Sequence, residues 1–225
     1  MQVPVDVHFP AEAGSLKNST NRGWFITLEG IDGAGKSSQF SAVVDTLRGL
    51  GRKVVATREP GGTPLGERLR ELLLSEAMST SSEALLMFAA RQEHVLHVIE
   101  PALLRGNDVV CDRFTDATLA YQGAGKGIPR DRLESLAHWV HPGLAPDLTI
   151  LLDLPAEVAA QRMREQGRQA DRFEREPEEF FGRVRRQYLE LAREQPGRWC
   201  VVDASRGLEE VREEVIQNLK KRLEV

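Results

Sequence analysis

The chain has 225 residues and a mass of 25.1 kDa, with a formal net charge of −4 and a pI near 5.8. That length suits one domain of ordinary to large size, and 41% hydrophobic with 28% charged residues are globular proportions. The negative balance argues against a nucleic-acid coat, two cysteines against a disulfide scaffold, and the lack of an 18-residue apolar run against a membrane span.

Residues 1–22 read as an extension. They carry scattered small polar residues and prolines, without a basic segment followed by an apolar one, so the reading is a disordered stretch, or at most a strap on the surface, rather than a secretory signal. Together with two unpaired cysteines, Cys111 and Cys200, this makes the cytoplasm the expected compartment. Residues 23–225 form the expected domain.

Apolar β-rich runs alternate with helical patterns from there on. Strands are predicted at Trp24–Leu28, Lys53–Thr57, Asp108–Cys111, Leu148–Asp153 and Trp199–Val202. Helices are predicted at Ser37–Leu50, Leu65–Leu74, Ser82–Leu104, Arg130–Val140, Ala156–Gln166, Pro177–Glu194 and Leu208–Leu223. The alternation implies a five-stranded parallel sheet covered on both faces, a three-layer α/β/α arrangement. Ligands in such folds bind beyond the carboxyl ends of the strands, so the residues just after each strand carry the argument.

After the first strand comes Gly30-Ile31-Asp32-Gly33-Ala34-Gly35-Lys36-Ser37, a complete G-x-x-x-x-G-K-[ST] phosphate loop. The glycines let backbone N–H groups converge on one anion. Lys36 supplies charge for the β- and γ-phosphates, and Ser37 a hydroxyl for Mg²⁺. Asp32 repels phosphate, so it needs another partner: a sugar hydroxyl of a second substrate, or Mg²⁺ through water. The Asn-Lys-x-Asp motif of a GTPase is absent. In a small-molecule kinase, a second phosphate is held opposite the first, and arginines belong at strand ends to grip it. Arg58 follows the second strand and Arg113 the third, beside Asp112, which suits a Mg²⁺-bound water. Of the 30 basic residues, 24 are Arg and 6 are Lys; most of that excess is composition, and position singles out these two.

The motifs together resemble the thymidylate kinases, the dTMP kinase family of nucleoside monophosphate kinases. The resemblance rests on Leu28–Ser37, Thr57-Arg58-Glu59-Pro60-Gly61-Gly62, Ala89-Ala90-Arg91, Asp112-Arg113-Phe114 and Ala120-Tyr121-Gln122-Gly123. It continues through Pro146–Asp153 and Asp171-Arg172-Phe173-Glu174, in family order over nearly the whole chain. It implies a P-loop NTPase-type fold with a small helical lid near residues 161–174, and transfer of the γ-phosphoryl group of ATP to dTMP. It implies ATP on Gly30, Ile31, Asp32, Gly33, Ala34, Gly35, Lys36, Ser37 and Ser38, with Mg²⁺ as cofactor at Ser37 and Asp112. For dTMP it implies Arg58 and Arg113 on the phosphate, Arg91, Thr118 and Gln122 on the base, Tyr121 beside the sugar and Asp32 near the 3′-hydroxyl. The family's stacking aromatic falls at Met87 here, so either Phe88 stacks from one position on or Met87 packs on the base through its sulfur. A homodimer packed through the Ser82–Leu104 helix is also implied, with no nucleic-acid or membrane partner. The rival readings are a deoxynucleoside kinase, whose acceptor has no phosphate, and a nucleotide-binding regulator without turnover.

The phosphate loop lacks the arginine that some family members place in it. The lid of the bacterial subgroup supplies one instead, which makes Arg162 and Arg168 the leading catalytic candidates here, followed by Arg164 and Arg172. Arg168→Ala is expected to lower kcat by about 100-fold, as for loss of one charge-stabilising donor, with dTMP binding little changed. An unchanged kcat in steady-state assays moves the role to Arg162 or Arg172.

Overall fold

A computed structural model describes residues 22–165 and 172–225. Five parallel strands form one sheet: β1 (Phe25–Glu29), β2 (Val54–Arg58), β3 (Asp108–Asp112), β4 (Leu148–Asp153) and β5 (Trp199–Asp203). Their order across the sheet is β2-β3-β1-β4-β5. β1 is buried along its whole length and β4 along all but its last residue, as central strands covered on both faces are, and the buried Thr27 and Thr149 hydroxyls pair with each other at 2.9 Å. Edge strand β2 is half-exposed.

The helices are α1 (Lys36–Gly49), α2 (Pro64–Ser75), α3 (Thr80–His94), α4 (Glu100–Leu104), α5 (Thr115–Thr118), α6 (Arg130–Val140), α7 (Ala156–Glu165), α8 (Glu178–Glu194) and α9 (Leu208–Leu223). Local signals start several of them. The Thr63 hydroxyl accepts from the Gly66 N–H at 3.0 Å and Pro64 opens α2, while the Ser79 hydroxyl caps α3. The three-layer α/β/α fold is the one the alternation implied. Its largest core joins Ile26, Leu28 and Ile150 of the sheet to Val43 and Leu47 of α1, Val184 and Tyr188 of α8, and Val215 of α9.

Two elements depart from the periodicity. The expected single helix Ser82–Leu104 widens into a π-helical segment, Val95–Ile99, between α3 and α4. Pro101 has no N–H to return to the preceding turn, and the widened turn accommodates this. A second π-helical segment, Leu119–Gly125, continues α5 where the sequence predicted no element. Asp116, Thr118 and Gln122 are buried there beside apolar neighbours, which erases the amphipathic stripe. Each is satisfied instead by a specific partner; Asp116, for example, holds Arg198 through two bonds of 2.8 Å.

The register sets the site. Leu28 of β1 lies opposite Asp112 of β3, and the Arg113 N–H donates to the Leu28 carbonyl at 3.0 Å. The chain runs from β1 to β2 on one side of this pair and from β3 to β4 on the other, so the phosphate loop and the Asp112-Arg113 step sit at a topological switch point, where such sheets open a crevice.

Candidate active site

Gly30 leaves β1 with φ 138°, and a Cβ there would lie 2.6 Å from the Leu152 carbonyl oxygen, so only glycine fits. Beyond it the loop folds over Lys36, whose Nζ donates to the Gly30 and Ile31 carbonyls at 3.0 and 3.1 Å. Gly33 and Ala34 complete the loop, Gly35 caps α1 in the left-handed region, and Ser37 and Ser38 are exposed in the first turn. The N-terminus of α1 is thus presented beside a buried lysine.

Arg113 is one of two non-glycine residues with positive φ among the described residues, at 69°. Its guanidinium explains how that strained backbone persists. Nη2 donates to Asp32 Oδ1 at 2.7 Å and to the Tyr121 hydroxyl at 3.0 Å, and Nη1 reaches the Tyr188 hydroxyl at 3.4 Å. The Tyr121 hydroxyl in turn donates to Asp32 Oδ2 at 3.1 Å. Burial alone would raise the Asp32 pKa, but the charges of Arg113 and Lys36 outweigh it and hold this carboxyl well below the usual carboxylate range. Lys36 is pushed down, first by burial and then by the Arg113 charge.

Glu29 stands behind this pair. It accepts from the Phe114 N–H at 2.8 Å and from the Tyr188 hydroxyl at 2.7 Å. Burial, reinforced by Asp116, raises its pKa to about 8.

Arg91 is fixed as firmly. Nε donates to Glu59 Oε2 at 2.6 Å and Nη2 to the Thr118 hydroxyl at 3.0 Å, with the guanidinium 4.8 Å from the Phe88 ring centroid and 5.1 Å from that of Phe114. Nη1 is buried and has no hydrogen-bond partner among the described residues. The other Glu59 oxygen meets His94 Nδ1 at 2.9 Å, and His94 Nε2 meets the Thr57 hydroxyl at 2.6 Å. A side chain on Gly62 would strike His94 and Thr57, so the Thr57–Gly62 turn closes tightly on this chain of bonds.

Asp32, Arg91, Arg113, Thr118, Tyr121 and Gln122 line one cavity of about 100 Å³. Met87 lines it too, whereas Phe88 does not: Phe88 is buried beneath Arg91 and packs with Ala84 and Leu133. Arg58 falls outside this cavity. It lines the adjoining groove with Ser37 and Asp112, ion-paired to Glu67 at 2.8 Å. Arg162 reaches the Ser205 carbonyl at 3.5 Å in the loop after β5. Arg172 pairs with Glu83 at 2.6 Å, and Arg168 lies outside the described residues. Glu59 also lines the cavity, yet the sequence motif that contains it assigns it no role, and nothing in the sequence singles out His94 or Glu83.

The donor set also bears on a metal. Asp112 Oδ1 is buried without a hydrogen-bond partner among the described residues, and the Ser37 hydroxyl shares its groove. No cluster of three acidic, His or Cys ligands exists among the described residues. One hydroxyl and one carboxylate fit a largely hydrated Mg²⁺ that takes its other ligands from phosphates.

A phosphate loop beside a second pocket lined by Arg91 and Arg113 defines a P-loop phosphotransferase. The thymidylate kinase family model matches residues 28–215. The chain is 56% identical over 199 residues to the thymidylate kinase of Methylobacillus flagellatus, covering 88% of this chain and 98% of that one. It is 59% identical over 193 residues to that of Bordetella pertussis, covering 86% and 92%. The crystal structure of thymidylate kinase from Ehrlichia chaffeensis superposes with a TM-score of 0.71 at 35% identity, covering 88% of this chain and 99% of that one. The chain belongs to the thymidylate kinase family.

The raised Glu29 pKa predicts a pH dependence. Between its ordinary value of 4.5 and about 8, the folded state binds a proton that the unfolded state has released. The contribution of Glu29 to stability therefore declines as pH rises through that window and levels off above about 8. The melting temperature of the wild type minus that of Glu29→Gln is expected to fall between pH 5 and pH 8.5. A difference that stays flat contradicts the assignment.

Proposed function

We propose that this chain transfers the γ-phosphoryl group of ATP to dTMP, giving dTDP and ADP. The observation that carries the reading is the Asp32–Arg113 ion pair at 2.7 Å, which joins the phosphate loop to the wall of the second cavity. The donor on the loop and the acceptor in the cavity then meet at one pair of side chains.

In this reading the acceptor phosphate oxygen attacks the γ-phosphorus as the bond to the β–γ bridging oxygen breaks. The protein's work is placement and charge neutralisation. Gly30 to Ser38 hold the ATP phosphates, and Lys36 exchanges its two carbonyl partners for phosphate oxygens. Ser37 and Asp112 would hold Mg²⁺, which would supply neutralisation of phosphate charge. Arg113 turns its remaining donors to the dTMP phosphate, and Arg58 leaves Glu67 to join it. Arg91, Thr118 and Gln122 face the base, Met87 packs on it, Tyr121 flanks the sugar and Asp32 meets the 3′-hydroxyl. Arg162 and Arg168 cover the transferring group. No helix among the described residues is long and apolar enough to cross a membrane, in keeping with a cytoplasmic enzyme. Leu85, 56% exposed on α3, supports a homodimer packed through that helix. Sedimentation at micromolar concentration is expected to give twice the chain mass, and a monomeric mass rejects the dimer.

The test of the activity is ADP release with ATP, Mg²⁺ and a panel of dTMP, dUMP, CMP, AMP and thymidine. Turnover is expected with dTMP foremost. Preference for thymidine points to a nucleoside kinase, and silence with every acceptor to a regulator. Arg58→Ala is expected to raise the dTMP KM about 10- to 100-fold, the loss of a charge-assisted bond, with little change in the ATP KM. A selective rise in the ATP KM reverses the assignment of the two sides.

A further inference from the structure

Glu83 lies in the first turn of α3 and is fully buried. A buried carboxylate needs partners, and Oε2 has two: Lys126 Nζ at 2.9 Å and Arg172 Nη2 at 2.6 Å. Lys126 also faces Glu176 at 3.3 Å. The other oxygen, Oε1, accepts from Gln122 Nε2 at 2.8 Å.

A carboxylate held by two cations has acceptors only. The Gln122 side chain must therefore turn its NH₂ group toward Glu83, which leaves its carbonyl oxygen for the cavity that Gln122 lines. One turn earlier on the same segment, Thr118 accepts from Arg91 Nη2, while Arg91 Nη1 is buried with no partner among the described residues. The end of the cavity thus offers one donor, from Arg91, and one acceptor, from Gln122.

We infer that Glu83 is a positioning residue that fixes the hydrogen-bond polarity of Gln122 and thereby restricts the cavity to a pyrimidine carrying a 4-carbonyl beside an N3–H. The inference rests on the functional reading above. Thymine and uracil present that acceptor and donor in matching order. Cytosine presents an amino donor to Arg91 and a bare N3 to the Gln122 carbonyl, so both contacts are mispaired. A site built on directional hydrogen bonds rejects such an analogue by orders of magnitude. If Gln122 were free to rotate, its NH₂ group would satisfy the cytosine N3 and half of the discrimination would vanish.

The experiment compares kcat/KM for dTMP and dCMP in the wild type, in Glu83→Gln, and in the paired change Glu83→Gln with Gln122→Glu. An amide at position 83 both donates and accepts, so it no longer dictates the Gln122 rotamer. For Glu83→Gln, the dTMP-over-dCMP ratio is expected to fall at least about tenfold. The dTMP KM should rise about tenfold, with kcat changed by less than about threefold and the ATP KM unaltered. The paired change restores a donor at 83 facing an acceptor-only group at 122, and keeps one carboxylate among the two cations. It is expected to return the ratio to within about threefold of wild type. Because it keeps that charge, it still tests the inference if the single variant fails to accumulate, since a relaxed ratio in the paired variant overturns it. A Glu83→Gln protein with the wild-type ratio, or a paired variant that keeps the relaxed ratio, overturns the inference and leaves Glu83 a support of the fold. A wild type that does not phosphorylate dTMP overturns the functional reading and this inference with it; an active wild type with an unaltered variant ratio overturns the inference alone.

Discussion

The site depends on where one guanidinium is held. Arg113 leaves β3 in a backbone conformation that costs about 1–2 kcal/mol for a residue with a side chain. The cost is offset because three elements converge on the side chain: Asp32 from the phosphate loop, Tyr121 from the π-helical segment and Tyr188 from α8. The same bonds work in reverse. Asp32 belongs to a loop with little side-chain bulk of its own, and the charges of Arg113 and Lys36 keep it ionised and in place. Tyr188 is fixed by Glu29 at the end of β1. The loop, the π-helical segment and α8 thus share one anchor, and a change at Arg113 is felt in all three.

Two carboxyl groups three residues apart are driven in opposite directions by this arrangement. Glu29 is raised to about 8 by burial and by Asp116, whereas Asp32 is lowered because its ion pair outweighs its burial. Near neutral pH one is mostly a neutral acid and the other a carboxylate. The difference suits a phosphate site. An ionised Glu29 would oppose the positive field of Lys36 and Arg113 from behind, while a neutral one still serves Tyr188 and the Phe114 N–H. Arg91 solves the same problem differently. Its partner Glu59 stays ionised, balanced by Arg91 and by a hydrogen bond from His94, so that corner is locked by charge rather than by neutrality.

Much of the framework was legible because it is written in local signals. β4, α6 and α9 have the predicted bounds, since a buried run and two amphipathic helices carry strong periods. The phosphate loop and the arginines at the strand ends were legible because spacing and strand position identify them. The walls of the cavity were harder. Tyr121 and Gln122 were found by motif, but their π-helical segment was not, because buried polar residues paired through space leave no stripe in the sequence. Glu59, His94 and Glu83 stand out only by their long-range hydrogen bonds, and an acid in a first helical turn reads as a dipole partner until such neighbours are seen. Phe88 and Met87 differ by one position on α3, about 100° of rotation, and only packing decides which of them meets the cavity.

The two strand-end arginines were equivalent in sequence and are not equivalent in the fold. Arg113 is nearly buried and tied to groups that are themselves fixed, so its charge is already aimed before any anion arrives. Arg58 is 52% exposed, and its partner among the described residues, Glu67, is 40% exposed. A surface pair of that kind contributes about 0–1 kcal/mol, so exchanging Glu67 for a phosphate costs little. Glu67 loses little in return, because its other oxygen keeps the Gly62 N–H at 2.9 Å. In the proposed reading, one arginine therefore sets the position of the acceptor phosphate and the other is recruited by it. The fixed arginine contributes orientation, whose value lies in the transfer step. The recruited one contributes attraction, whose value lies in binding. The Thr57–Gly62 turn that carries Arg58 is braced through Thr57 and His94 to Glu59, and hence to Arg91. Recruitment therefore moves a side chain across a firm backbone and leaves the base end of the cavity undisturbed.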